Sequence, residues 1–283
     1  MRVARAASLT SRLRVARGKV RLADRDPSAT PGFSGKKRAG ERALLDLAPA
    51  LSDLQERLFA NGRSGDARSL LLVLQGMDTS GKGGVLRRAV GLFDPQGVKI
   101  KSFKAPTAVE RKHGFLWRIE KEVPAAGMIG IFDRSHYEDV LIARVHELAP
   151  AKEIESRYGA INDFEARLAA SGTVIVKCML HISAEEQKKR LLARLDDPTK
   201  HWKFNPRDVD ERDSWSAYQA AYQLALERCN TDAAPWLIVP SDRKWYRNWA
   251  VARVLCETLE AMGLAWPKAE FDVEEQQLRL AAT

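Results

Sequence analysis

Asp78 and Lys82 and, further along, Asp133 and Arg134 are residue types suited to holding and moving phosphate. Each pair stands just after a short apolar run. The first pair lies in a turn that follows Leu70–Leu74, and the apolar spacing Val85, Leu86, Ala89, Val90 then resumes with helical periodicity. The order is therefore strand, glycine-rich loop, helix. Gly76, Gly81 and Lys82 fit the spacing G-x-x-x-x-G-K, in which backbone N–H groups converge on phosphate oxygens and the lysine reaches past them. The usual motif continues with Ser or Thr, whose hydroxyl binds Mg²⁺, but this chain has Gly83. Any metal must then be held elsewhere. A carboxylate beside bound phosphates repels them unless a cation lies between, so Asp78 is expected on the metal side of the loop. Its structural alternative is a local Asx hydrogen bond. Asp133 ends the apolar run Met128–Phe132, where acids of nucleotide-binding α/β proteins reach Mg²⁺. The polar tract Arg134, Ser135, His136, Tyr137, Glu138, Asp139 follows, and Ser135 with Glu138 also reads as a capping box.

The elements that must position these groups alternate. Strands are expected near Leu70–Leu74, Val98–Phe103, Met128–Phe132, Thr173–Leu180 and Trp236–Val239, with helices between them. The helices include Val109–Glu122, Tyr137–Glu147, Ala151–Ala170 and one opened by a Ser183/Glu186 capping box. A helix from Glu41 is interrupted near Pro49. The class is α/β, a three-layer sandwich around a five-stranded, mostly parallel sheet, with function at the strand C-termini. Asp196–Asp213 mixes Lys200, His201, Trp202, Lys203, Arg207 and Arg212 with two prolines and six acids. Such a stretch suits a lid that closes on a charged substrate. The stripe Trp215, Tyr218, Tyr222, Leu226 reads as core or subunit contact. Lys104, Arg118, Arg243, Lys244 and Arg247 supply further cations around the expected active edge.

The net charge of +9 belongs to the start of the chain, because residues 1–40 carry eleven Lys or Arg against two Asp and the remainder is balanced. That distribution argues against a nucleic-acid module. The first 32 residues read as a basic arm that lies over the body or attracts a polyanion, as a silent tail, or as an Arg-rich, acid-poor targeting segment. Residues 33–263 form the main domain, with the lid at about 196–213, and 264–283 a tail without site chemistry. No apolar run approaches the roughly 18–20 residues of a transmembrane helix. Cys178, Cys229 and Cys256 lack metal-ligand spacing, so a reducing, cytoplasmic setting with buried thiols is expected.

Four ordered segments, GMDTSGKGG (76–84), FDRSHYEDVLIARVHEL (132–148), KHWKFNPRDVDER (200–212) and APWLIVPSDRKWYRNW (234–249), resemble the type 2 polyphosphate kinases. The resemblance implies a P-loop, thymidylate-kinase-like core with a helical lid and Mg²⁺-dependent phosphoryl transfer between inorganic polyphosphate and nucleotides, with Mn²⁺ as a substitute metal. The RSHYEDV and KHWKF wording resembles the subclass that accepts both AMP and ADP, with guanine nucleotides as further candidates. By position it implies a Walker A loop of Gly76, Met77, Asp78, Thr79, Ser80, Gly81, Lys82, Gly83 and Gly84. It makes Asp133 the Walker B acid and Arg134 a phosphate ligand, with Asp78 and Asp133 at the metal. Lys104, Arg118, His136, Tyr137 and Glu138 are expected around phosphate or nucleotide, and Lys200, Lys203, Arg207, Arg212, Arg243 and Lys244 along the polyphosphate. A homodimer or homotetramer is the implied assembly, with no membrane and no nucleic acid as partner. The competing readings are an ATP-dependent nucleoside monophosphate kinase and a non-enzymatic nucleotide- or polyanion-binding scaffold.

Overall fold

The computed structural model describes residues 7–283; residues 1–6 of the basic arm lie outside the described residues. The strands are β1 (Ser69–Gln75), β2 (Val98–Ser102), β3 (Ile129–Asp133), β4 (Thr173–His181) and β5 (Trp236–Pro240). They form one sheet in the order β2-β3-β1-β4-β5, parallel at every pairing. β1 is central and wholly buried, as its unbroken apolar sequence requires of a strand covered on both faces. Alternate β1 residues enter opposite layers. Leu70, Leu72 and Leu74 pack into one apolar cluster, and Leu71 and Val73 into the other.

The helices, in chain order, are α1 (Leu9–Leu13), α2 (Lys37–Asp46), α3 (Ala48–Arg63), α4 (Lys82–Arg88), α5 (Trp117–Glu120), α6 (Ile142–Val145), α7 (Ala151–Ala170), α8 (Ala184–Leu195), α9 (Arg207–Asp210), α10 (Trp215–Arg228), α11 (Lys244–Ala261) and α12 (Val273–Ala281). Leu44, Leu51, Leu58 and the inner face of α11 cover one side of the sheet. Ile154, Tyr158, Ile161 and Phe164 of α7, with Tyr222 and Leu226 of α10, cover the other.

Residues 9–22 of the basic stretch pack on the body. Leu9 and Leu13 join one core cluster and Val15, Val20 and Leu22 the other. Val15 N–H donates to Trp236 O at 2.9 Å, and Arg14 forms an antiparallel bridge with Leu237, so this segment blunts the free edge of β5. Glu257 accepts from the N–H groups of Leu9 and Thr10 at 3.1 and 2.9 Å.

Three expected helices have different bounds. Val109–Glu122 is only a 3-10 turn, Glu110–Lys112, followed by α5, because His113 is extended and Gly114 favours leaving the helix. Tyr137–Glu147 is likewise a 3-10 turn, His136–Asp139, then α6; the break lets His136, Tyr137 and Leu141 all enter the core. The helix expected from Glu41 starts earlier, at Lys37, and is interrupted near Pro49 as expected: α2 ends at Asp46 and α3 begins at Ala48, with Pro49 in its first turn, where the missing N–H costs nothing.

Candidate active site

The loop after β1 is shaped by backbone that ordinary residues resist. Gly76 (φ +152°) lies so close to Leu180 O and Ser80 Oγ that a Cβ would stand 2.7 Å from each. Gly81 (φ +111°) starts α4, and Thr79 also has positive φ, at +62°. Three consecutive carbonyls of the loop are held from behind. Gln187 Nε2 donates to Asp78 O at 3.1 Å, and Arg190 Nη1 donates to Thr79 O and Ser80 O at 2.8 and 3.0 Å. Arg247 Nη1 also donates to Ser80 O, at 3.0 Å. Its guanidinium lies flat on the loop, where a Cβ at Gly81 would meet Nη1 at 1.7 Å and one at Gly84 would meet Nη2 at 2.4 Å. Ser80 N–H donates to Met77 O and Gly84 N–H to Gly81 O, while the N–H groups of Asp78, Thr79, Gly81, Lys82 and Gly83 have no backbone acceptor among the described residues, the arrangement that cradles an anion. Burial, then the charge of Arg190, pulls the Arg247 pKa down to about 9.

On the front of the loop Lys82 Nζ rests on Gly76 O at 2.8 Å. Burial lowers its pKa, and Asp78 opposes that effect. The β1–β3 register sets Asp133 beside Leu74, and the next residue, Arg134 (φ +64°), donates its N–H to Leu74 O. Arg134 Nη2 then reaches Asp78 Oδ1 at 3.2 Å, and Nη1 stands 3.9 Å from Glu138 Oε2. Burial raises the Glu138 carboxyl above its ordinary range, with Arg134 and then Lys82 opposing. Asp78, Lys82, Asp133, Arg134 and Glu138 thus converge, and a cavity of about 200 Å³ opens between Asp78, Arg134, Asp208, Tyr218 and Tyr222.

His136 and Tyr137 do not belong to this group. Both are fully buried on the far side of the tract, where Tyr137 Oη donates to Glu165 Oε1 at 2.8 Å and His136 Nε2 lies 3.2 Å from the same oxygen. Lys177 Nζ donates to Glu165 Oε2 (2.6 Å), Tyr137 Oη (2.7 Å) and Cys229 O (2.7 Å). Every donor of that lysine is used within the core. The expected capping box is half formed: Ser135 Oγ accepts from Tyr137 N–H and from Gln75 Nε2, while Glu138 faces Arg134 instead of the cap.

Arg118 is likewise turned inward, 9% exposed, donating to Lys104 O at 2.7 Å and standing 3.8 Å from Asp139 Oδ2. Lys104 itself is exposed. In the lid, Lys200 pairs with Asp197 at 2.6 Å and Lys203 stands over the Trp202 ring. Trp202 is 77% exposed, so the face expected to pack is open here. Arg207 lines the cavity, while Arg212 Nη1 donates to Gln187 Oε1 at 2.8 Å and ties the lid's far end to α8. Arg243 donates to Ser28 O, and Lys244 is exposed at the start of α11.

Sequence reasoning missed Gln187, Arg190, Asp208 and Tyr222. The signal for the first two was a polar pair three residues apart on the face of α8 that also buries Leu191. Tyr218 and Tyr222, expected in the core or a subunit contact, do pack in or against the core and in addition reach the cavity.

The sequence model of the family polyphosphate kinase 2 (PPK2) matches residues 34–265. The chain belongs to the polyphosphate kinase 2 family. A crystal structure of polyphosphate kinase 2 from Arthrobacter aurescens TC1 superimposes on this polyphosphate kinase 2 chain with a TM-score of 0.96 at 53% identity, covering 98% of each chain. An AMP/ADP-polyphosphate phosphotransferase of Meiothermus ruber is 44% identical over 253 residues, 89% of this chain and 93% of that protein. An ADP-polyphosphate phosphotransferase of Rhodopseudomonas palustris is 40% identical over 272 residues, 92% of each. The family match starts after the segment that covers the β5 edge, whereas the Arthrobacter likeness covers almost the whole chain.

Proposed function

We propose that the chain transfers the terminal phosphoryl group between inorganic polyphosphate and AMP or ADP, with Mg²⁺ as cofactor and Mn²⁺ as a substitute. The observation that carries this reading is the Asp78–Arg134 pair across the front of the loop, beside Lys82. A loop that only grips a nucleotide has no use for a carboxylate there, whereas two phosphate chains meeting end to end require cations and a metal-facing acid between them.

The donor set fits Mg²⁺. Among the described residues no group of three or more His, Cys, Asp or Glu is placed to hold a metal ion. Asp78 and Asp133 would hold it, with phosphate oxygens and water completing the shell, which is how this ion commonly binds. When bound, it neutralises charge on the phosphate oxygens and aligns them. The chain's own groups do the rest. The loop N–H groups and Lys82, released from Gly76 O, take one phosphate chain. Arg134 exchanges Asp78 for a phosphoryl oxygen. The hydroxyls of Thr79 and Ser80, buried without partners among the described residues, are available to the same oxygens. Exposed Lys200, Lys203, Arg207, Arg243 and Lys244 line the approach for a longer polyanion.

A coupled assay supplying polyphosphate with AMP, ADP, GMP and GDP separately tests this reading. ADP and ATP are the expected products of the adenine substrates, and absence of both overturns it. The proposed setting is cytoplasmic and the proposed assembly a homodimer or homotetramer. No helix among the described residues is long and apolar enough to cross a membrane.

A further inference from the structure

Tyr222 projects from α10 into the cavity beside the phosphate loop. Its side chain is packed in the core, with the residue 5% exposed, yet its hydroxyl has no hydrogen-bond partner among the described residues. The phenol is not among the buried polar atoms that lack a partner, so its oxygen opens on the cavity, where a ligand can reach it. Tyr218, one turn earlier on the same helix, instead donates to Glu211 Oε2 at 2.7 Å. The charged groups that the Tyr222 hydroxyl senses are Glu138, Asp78 and Arg134, all of which line the cavity. Tyr222 thus shares one cavity with the Asp78–Arg134 pair.

At about 200 Å³ the cavity is smaller than the roughly 300 Å³ at which pockets for whole organic ligands begin. It suits a phosphate group better than a base and ribose. Burial, then the neighbouring carboxylates, pushes the phenol well above its ordinary range, so it keeps its proton and acts only as a donor to an anion. Arg134 supplies the charged donor from the opposite wall.

We propose that the Tyr222 hydroxyl donates a hydrogen bond to an oxygen of the phosphate held at Asp78 and Arg134, and is a further substrate-binding residue of the transfer. This rests on the phosphoryl-transfer reading above. The phosphate belongs either to the polyphosphate end or to the nucleotide's terminal group, and the two chemistries are the same at this atom.

Tyr222→Phe removes the hydroxyl and nothing else. Because that hydroxyl has no protein partner, the ligand-free variant is expected to melt at the wild-type temperature or above it. Its kcat/KM is expected to fall about 10- to 100-fold, the loss typical of one hydrogen bond to a charged group. Varying polyphosphate at saturating ADP, and ADP at saturating polyphosphate, identifies the source, since the fall concentrates on the chain whose phosphate Tyr222 touches. Pyrophosphate, as a ligand without a base, should raise the melting midpoint of the wild type more than that of the variant. Unchanged kcat/KM with equal pyrophosphate shifts overturns the proposal, as does lost activity accompanied by a matching loss of ligand-free stability. A wild-type protein that binds pyrophosphate but transfers nothing overturns the phosphoryl-transfer reading, and the two midpoint shifts then decide Tyr222 alone.

Discussion

Two charged clusters lie back to back across the tract 133–139, and they are built to opposite ends. Behind it, Lys177, Glu165, His136 and Tyr137 are buried and bound to one another, with Lys177 held by three oxygens. In front, Asp78 and Arg134 are each more than a third exposed and share one contact of 3.2 Å. Against the burial that disfavours its charge, Glu165 is held below the ordinary carboxylate range, foremost by Lys177. Burial instead leaves Glu138, in front, raised, with Arg134 and Lys82 opposing it. The rear cluster, in which only His136 Nδ1 lacks a partner, holds the fold together; the front one, which leaves the hydroxyls of Thr79, Ser80 and Tyr222 without partners among the described residues, waits for a ligand. Residues of similar chemistry, within a few positions of one another, serve the two purposes according to whether they turn into the layer beneath α7 or stay at the mouth of the cavity.

Substitutions separate these roles. Asp78→Asn should lower turnover roughly 10²–10³-fold, the scale of losing a preorganised electrostatic group, while the thermal midpoint stays put. Lys177→Met should do the reverse, costing about 3–5 kcal/mol of stability by stranding Glu165, with kcat largely retained in the folded fraction. If the lysine variant loses turnover without stability, the division between front and back is wrong. Gly81→Ala probes the support beneath the loop. The new Cβ would collide with Arg247 and sit at a positive φ, so about 1–3 kcal/mol of strain should appear, with weakened phosphate binding in a titration.

Asp139 lies at the rim of the front cluster, and burial raises its pKa from 3.8 to about 6, with Arg157 and Arg118 opposing. The folded state therefore binds the proton more tightly than the unfolded chain. Stability from this group is fully present below about pH 4 and is lost as pH rises through about 6. Urea melts across that range should show Asp139→Asn gaining on the wild type, by on the order of 1 kcal/mol, and levelling off above it. The smallest effect is expected from Gly83→Ser. Nothing lies within 4 Å of the new Cβ, so stability should stay within about 0.5 kcal/mol of wild type even though the variant restores the customary hydroxyl.

The strands and the phosphate loop could be read from the residues because apolar runs and glycine spacing are local signals. The five strands lie where the sequence suggested, and Asp78, Lys82, Asp133 and Arg134 do meet. His136, Tyr137 and Arg118, expected around the phosphate, are buried instead, for a physical reason. Polar density along a chain shows that a segment is unusual but not which of its side chains turn into the core, and here a buried lysine forty positions beyond Tyr137 draws it inward. Gln187 and Arg190 escaped notice because they act on backbone carbonyls, which carry no residue signature. Tyr222 hid in an aromatic stripe that also serves the core.

The central claim is that the front cluster joins a polyphosphate chain to a nucleotide. The most direct measurement follows ATP formed from ADP with polyphosphate as the only donor, beside ADP formed from AMP with ATP as the only donor, in wild type and Asp78→Asn. The account predicts ATP from the polyphosphate reaction in the wild type, falling at least about 10²-fold in the variant. Turnover confined to the ATP-driven reaction, or a polyphosphate reaction indifferent to Asp78, would contradict it.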